Sequence, residues 1–219
     1  MSRSALPLAL AVAATTFSFS GPAEARQTSP AHAHIGHVAD GFRGTPDRQG
    51  LLPTAMSEAE IAHRHATLAA EDPTNLEGMQ RHAGHVLHAL DPDTVESGPG
   101  NGYGVLTAAG RAVQHIELAA ISQGSSEGIE THANHIATAA SNALANAEEA
   151  IDLAEEIQEA ETAEEAAELL GRLTALTDAI VNGVDADGDG RIGWQEGEGG
   201  LAQAAQHMAL LKRGEGLGG

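Results

Sequence analysis

Residues 124–158 read GSSEGIETHANHIATAASNALANAEEAIDLAEEIQ, and this stretch decides the fold class. Gly124-Ser125-Ser126 opens a helix, because serine favours the cap position where its hydroxyl meets a free backbone N–H. No obvious break follows before Gln158. Ile151, Ala154 and Ile157 recur on one helical face with glutamates between them, which is the 3.6-residue period of an amphipathic helix. The acidic run from Glu148 to Glu168 reads as the solvated side of such helices. Aromatic residues make up only 2% of the chain. A core of Ala, Leu, Ile and Val without large rings suits closely packed helices better than a β-sandwich.

The same signals extend in both directions. Downstream, Thr162 with Glu165 forms a capping-box pair and predicts a helix to Asn182 or Gly183. A short last helix then runs to about Lys212, the one lysine in the sequence. Upstream, helices are predicted over 105–122, 75–90 and 57–71, the last opened by Ser57 with Glu60 as a capping box. DPDTVESGPGNGYG, residues 91–104, is too dense in turn formers to stay helical. Residues 27–55, rich in Pro, Gly and His, read as an irregular arm. No stretch alternates as a strand does. Short links between the helices of 75–90, 105–122 and 124–158 predict antiparallel neighbours, hence an all-α bundle.

Arg3, the apolar run Ala5 to Ser18 and Ala23-Glu24-Ala25 resemble the charged, apolar and cleavage regions of a secretory leader. A periplasmic or secreted protein starting at Arg26 is therefore expected. The segments expected are a leader over 1–25, an arm over 26–56, a histidine-rich bundle over 57–160, and a helix with a calcium loop over 161–219. The run is too short to cross a bilayer, and no later segment is longer and as apolar. The formal charge is −20, which gives no electrostatic reason to bind nucleic acid or anionic lipid and some reason to attract cations. There is no cysteine, so disulfides, thiolate metal sites and covalently attached haem are excluded.

Twelve histidines are roughly twice the ordinary share for this length. Seven helical histidines lie between His65 and His135, counting both ends: His65, His82, His85, His88, His115, His132 and His135. His82/His85, His85/His88 and His132/His135 are i, i+3 pairs, a spacing that places two imidazoles on one helix face and suits a shared transition-metal ion. At about 100° per residue, His82, His115 and His132 fall on the same flank of their helices, which predicts one common layer between them. His85 and His88 turn further from the apolar side. His65 lies nearer that side than His63. His32, His34 and His37 sit in the expected arm and either cap a site or bind metal loosely. The expected transition-metal ligands are His65, His82, His85, His115, His132 and His135. Zn2+, Cu2+, Ni2+ and Co2+ all accept imidazole, and bis-histidine haem is disfavoured by the shortage of aromatic residues. Glu60, Glu117 and Glu130 lie near these histidines in sequence as further ligands or a base. No H-E-x-x-H, G-x-S-x-G or phosphate-cradling loop is present, so no catalytic signature is found.

The segment Asp185-Ala186-Asp187-Gly188-Asp189-Gly190-Arg191-Ile192-Gly193-Trp194-Gln195-Glu196 fits D-x-D-x-D-G-x5-E at every constrained position. Calcium is a hard ion that takes six to eight oxygens. Asp185, Asp187, Asp189, the Arg191 carbonyl, a water at Gly193 and both oxygens of Glu196 meet that need. Gly190 permits the sharp turn. The segment resembles the EF-hand family of calcium-binding proteins, with Val181 and Val184 at apolar positions of the entering helix. The resemblance implies a single C-terminal EF-hand binding Ca2+. Gly197 departs from the pattern where a large apolar residue is expected, and Gly199-Gly200 weakens the start of the exiting helix. No second loop is present, so a lone loop pairs through a homodimer, packs on the bundle or stands alone. Trp194 is expected to cover the loop or pack on the bundle. Three functional readings follow: a metal-ion-binding protein, a calcium-dependent interaction protein without a bundle metal site, or a histidine-ligated metalloenzyme.

Overall fold

The computed structural model describes Met1 and residues 29–218. The expected leader and its cleavage position lie outside the described residues. Among those described there are seven α-helices and no strand: α1 Pro30–Ala39, α2 Leu51–Ala70, α3 Leu76–Leu90, α4 Val105–Ile121, α5 Glu127–Glu159, α6 Ala163–Asn182 and α7 Leu201–Gly214. The protein is all-α. No helix among the described residues is long and apolar enough to cross a membrane.

The helix ends follow from local chemistry. The Ser126 hydroxyl accepts from the Ile129 N–H at 3.1 Å to open α5. Thr162 and Glu165 form the expected reciprocal capping box of α6. The expected arm is a correction: residues 30–39 are helical and α2 begins at Leu51. Pro30 occupies the first turn, where proline's missing N–H costs nothing and its fixed φ suits a helix. Ser29 caps that turn by accepting from the His32 N–H at 3.1 Å. Ala31, Ile35 and Val38 are buried, one stripe on a short helix. Ser57 with Glu60 is likewise no cap, because the apolar pattern of α2 runs back through Leu52 and Leu51. Gly50, at the start of α2, lies so close to Ala39 that a Cβ would come within 2.5 Å of its carbonyl carbon.

One buried core runs through all seven helices, from Ala31 to Leu211. The long α5 is its spine and packs against α3, α4, α6 and α7. Seven of its buried residues are alanines: Ala133, Ala139, Ala140, Ala143, Ala147, Ala150 and Ala154. Small side chains let helix axes approach towards the close end of the usual 8–10 Å range. The glutamates at 148, 155, 156, 164, 165 and 168 are exposed, the solvated face expected of them. α2 packs against α3, α4 and α6, and α1 lies on α4.

The short-link argument fails for α3 and α4, which barely meet. A carboxylate explains the detour. Glu58 of α2 is fully buried and accepts the N–H groups of Asn101, Tyr103 and Gly104 at 3.0–3.2 Å. Gly104 is the N-cap of α4, so the charge sits where free N–H groups and the helix dipole favour an anion. The loop 91–104 is thereby pinned to α2. Replacing Glu58 with Ala strands these donors in the interior and is expected to cost about 3 kcal/mol of unfolding free energy. Urea denaturation measures it; a loss below about 1 kcal/mol, the worth of one ordinary hydrogen bond, would show that the loop is held by other contacts.

Candidate metal centres

Nine of the twelve histidines gather into three separate triads: His34, His37 and His115; His65, His82 and His85; His132, His135 and His207. All nine are half-buried, and within each triad one nitrogen from every ring lies within 4.8 Å of the others. The three share one plan. An i, i+3 pair on one helix faces a single imidazole on a neighbour: α1 against α4, α3 against α2, and α5 against α7. The single histidine is the hub. His115 Nδ1 lies 2.8 Å from His34 Nδ1 and 3.4 Å from His37 Nδ1. His65 Nδ1 lies 3.0 Å from His82 Nδ1 and 3.2 Å from His85 Nδ1. His207 Nδ1 lies 3.1 Å from His132 Nδ1 and 3.3 Å from His135 Nδ1.

These distances suit an ion at each centre. Imidazole nitrogens at about 2.0–2.1 Å from a tetrahedral ion stand about 3.3–3.4 Å apart. A neutral imidazole carries one N–H, so three nitrogens converging on one point cannot all pair with one another. A divalent cation takes all three lone pairs at once. No triad includes a carboxylate, so a bound ion would keep its full charge and an open position beyond the three ligands.

Proton competition at these sites is weak. Burial, reinforced by His85, His82 and then Arg64, lowers the His65 pKa to about 4. Burial and the neighbouring histidines also lower His34, His115, His135 and His207, with Arg111 adding to His115. Burial and then Arg81 lower His82 against an opposing pull from Glu71; burial, His82, Arg81 and His88 lower His85. Lowered values keep the rings neutral and able to ligate.

All six histidines expected from sequence as ligands belong to triads, but not to a common one. His82, His115 and His132 go to three different sites, so the single shared layer is wrong. Angle on a helix gives the flank, whereas the neighbouring helix that faces that flank is set by packing. His85, expected to turn away, faces His65 instead. His34 and His37 become a pair because the expected arm is helical. His207 was missed: a lone histidine on the last helix has no i, i+3 partner and gives no local signal. The remaining three histidines take other partners. His88 Nδ1 meets the Pro99 carbonyl at 3.1 Å. His63 meets the Thr177 hydroxyl at 3.2 Å and Asp178 at 3.8 Å. His32 lies 3.1 Å from Glu215, whose carboxyl is held below its usual range first by the Ser126 hydroxyl and then by His32. Glu60, Glu117 and Glu130 join no triad; Glu117 and Glu130 line a groove between α4 and α5 with Glu196.

Asp185, Asp187 and Asp189 bring a carboxylate oxygen each within 4.8 Å of one another. Asp185 accepts the Gly188 and Gly190 N–H groups at 2.9 and 3.0 Å, and Asp189 accepts that of Arg191 at 2.8 Å. Glu196 stands apart from this group, in the groove beside Asn142 and Ala145. Trp194 packs on His135 rather than over the aspartates.

The lowered histidines fix the sign of a pH effect on the metal-free protein. Below their ordinary value of 6.5, the unfolded chain binds protons that the folded chain refuses, so stability is full above that pH and falls as pH drops. For His65 the loss runs from 6.5 down to about 4. The melting temperature of chelator-treated protein is expected to fall across this window, and His65→Gln is expected to flatten the fall. A curve unchanged by that substitution would place the titration elsewhere. No protein-family model, curated protein or solved structure matches this chain.

Proposed function

We propose that this protein is an exported metal-ion-binding protein that takes one transition-metal ion at each histidine triad and calcium at residues 185–196. The observation that carries the first part is the repetition of one ligand plan at three places in one bundle. A single triad in a chain with many histidines has an adventitious explanation. Three triads, each an i, i+3 pair against a hub on another helix, require separate placement of nine side chains. Imidazole ligands suit Zn2+, Cu2+, Ni2+ and Co2+. With one plan repeated three times and no catalytic signature in the sequence, holding and releasing ions is the reading adopted over turnover.

The calcium reading rests on the residue pattern of 185–196, its resemblance to the EF-hand loop, and the clustering of three of its carboxylates. Glu196 would have to turn from its groove to supply the last two oxygens. α7 begins only at Leu201, after the glycines that weaken an exiting helix. Export rests on the leader-like residues 1–25 alone. A compartment rich in calcium would keep such a loop loaded, which suits a stabilising role.

Elemental analysis of protein purified without chelators and offered zinc, copper, nickel and cobalt in turn tests the reading. Three transition-metal ions per chain are expected, with one lost in each of His115→Ala, His65→Ala and His207→Ala. Stoichiometry below one, or unaffected by these substitutions, would overturn it. Calcium is expected at one per chain and to raise the melting temperature, an effect that Asp187→Asn should reduce.

A further inference from the structure

The three triads differ in what lies against them. Phe42 stands edge-on to His37 and His115 of the first, with ring centroids 5.6 and 5.3 Å apart. The stacking around the second is among its own imidazoles. In the third, the Trp194 indole lies flat on His135, centroids 3.7 Å apart and planes 19° from parallel, and edge-on to His207.

Trp194 belongs neither to α5 nor to α7 but to the segment 183–200 between helices. That segment is fastened to α5 two turns beyond His135. Asn142 donates its side-chain amide to the Gln195 carbonyl at 2.8 Å and accepts the Gly197 N–H at 3.1 Å. Gly199 lies on α5 so closely that a Cβ there would come within 2.9 Å of the Ala139 Cβ. The two ends of the segment are joined by the Val184 N–H, which donates to the Glu198 carbonyl at 2.8 Å. Gly200 then serves as the N-cap of α7, the helix that carries the hub His207. One non-helical segment therefore supplies the ring that covers one ligand and sets the start of the helix bearing another.

We propose that metal binding at His132, His135 and His207 is coupled to the docking of residues 183–200 on α5, with Trp194 as the positioning residue between them. The proposal rests on the reading that this triad takes a metal. The stacked indole holds the His135 ring in the plane that turns its Nδ1 towards His207. Rotation about the terminal torsion of a histidine is otherwise soft, and it would carry that nitrogen away from the site. An undocked segment also frees the first turn of α7. Affinity at the third triad falls in both ways, while the first and second triads keep their own geometry. Linkage makes the effect reciprocal: an ion at the third triad stabilises the docked segment by the same factor. The acidic residues Asp185, Asp187 and Asp189 ride on that segment, so occupancy of the triad governs how they are held.

The chain has one tryptophan, so its fluorescence reports on the third triad. Copper(II) titrated into the full chain is expected to quench Trp194; His207→Ala should abolish the quench, and His65→Ala should leave it. Competition between the protein and a chromophoric zinc chelator counts the three sites separately. Trp194→Ala and Asn142→Ala are each expected to weaken one site about 10-fold, the scale of groups that orient a ligand, and to leave two unchanged. Trp194→Phe, which keeps a flat ring, should restore most of the loss. Zinc should also slow amide exchange across 183–200, and not in His207→Ala. A third triad loaded with zinc but indifferent to Trp194→Ala and Asn142→Ala, or loading that leaves exchange in 183–200 unchanged, overturns the coupling alone. A third triad that stays empty in the unsubstituted protein overturns the metal reading and the coupling with it.

Discussion

Close approach of helices is the constraint on which everything else in this molecule depends. An imidazole reaches only a short way from its backbone, so three can converge across a helix boundary only where the helices nearly touch. Alanine makes this approach. It lines the buried faces of α2, with Ala55, Ala59, Ala62, Ala66 and Ala69, and of α4, with Ala108, Ala109, Ala112 and Ala119, as well as the spine α5. The larger residues Ile35, Met79, Ile116, Ile136 and Leu173 are fully buried between them and supply the apolar area that small residues lack. Much of the driving force for folding therefore comes from many modest burials rather than a few aromatic anchors.

The same closeness sets the chemistry of the triads. Half-burial lowers the proton affinity of seven of the nine rings, reinforced by neighbouring histidines at six of them and by Arg81 at His82. Rings that resist protonation while their nitrogens face one another give up hydration without pairing all three lone pairs. A divalent ion would offset that cost, because it meets all three lone pairs at once. The bundle also spends polar groups on fixing its outer parts. Glu58 pins the loop ahead of α4. Glu215 joins α1 to the start of α5, and Lys212 pairs with Asp40 at the end of α1. These ties hold α1 and α7, each of which contributes to a triad, against the rest of the bundle.

Much of this was legible in the residues. The helices α3 to α6 follow from periodicity and caps, as with Thr162 and Glu165, and two of the i, i+3 pairs, His82/His85 and His132/His135, each fall in one triad, whereas His88 turns to the Pro99 carbonyl. Pro30 hid α1, because proline after serine reads equally as a linker and as the first turn of a helix; only the buried stripe Ala31, Ile35 and Val38 separates the two. At the start of α2, Ser57 imitates a cap six residues inside a helix that begins at Leu51 with Gly50 as its N-cap.

The sequence by itself determined the helical class, the breaks between most helices, the spacing of the paired histidines and the complete acidic pattern of 185–196. These depend on neighbours within a turn or two of the chain, and local backbone geometry relates them. Only the tertiary structure decided that there are three triads rather than one layer, that His115, His65 and His207 are the hubs, and that Trp194 lies on His135. Each of those facts joins residues on different helices. Their distance is fixed by which alanine faces meet, and a helical period says which way a side chain points without saying what it will meet there.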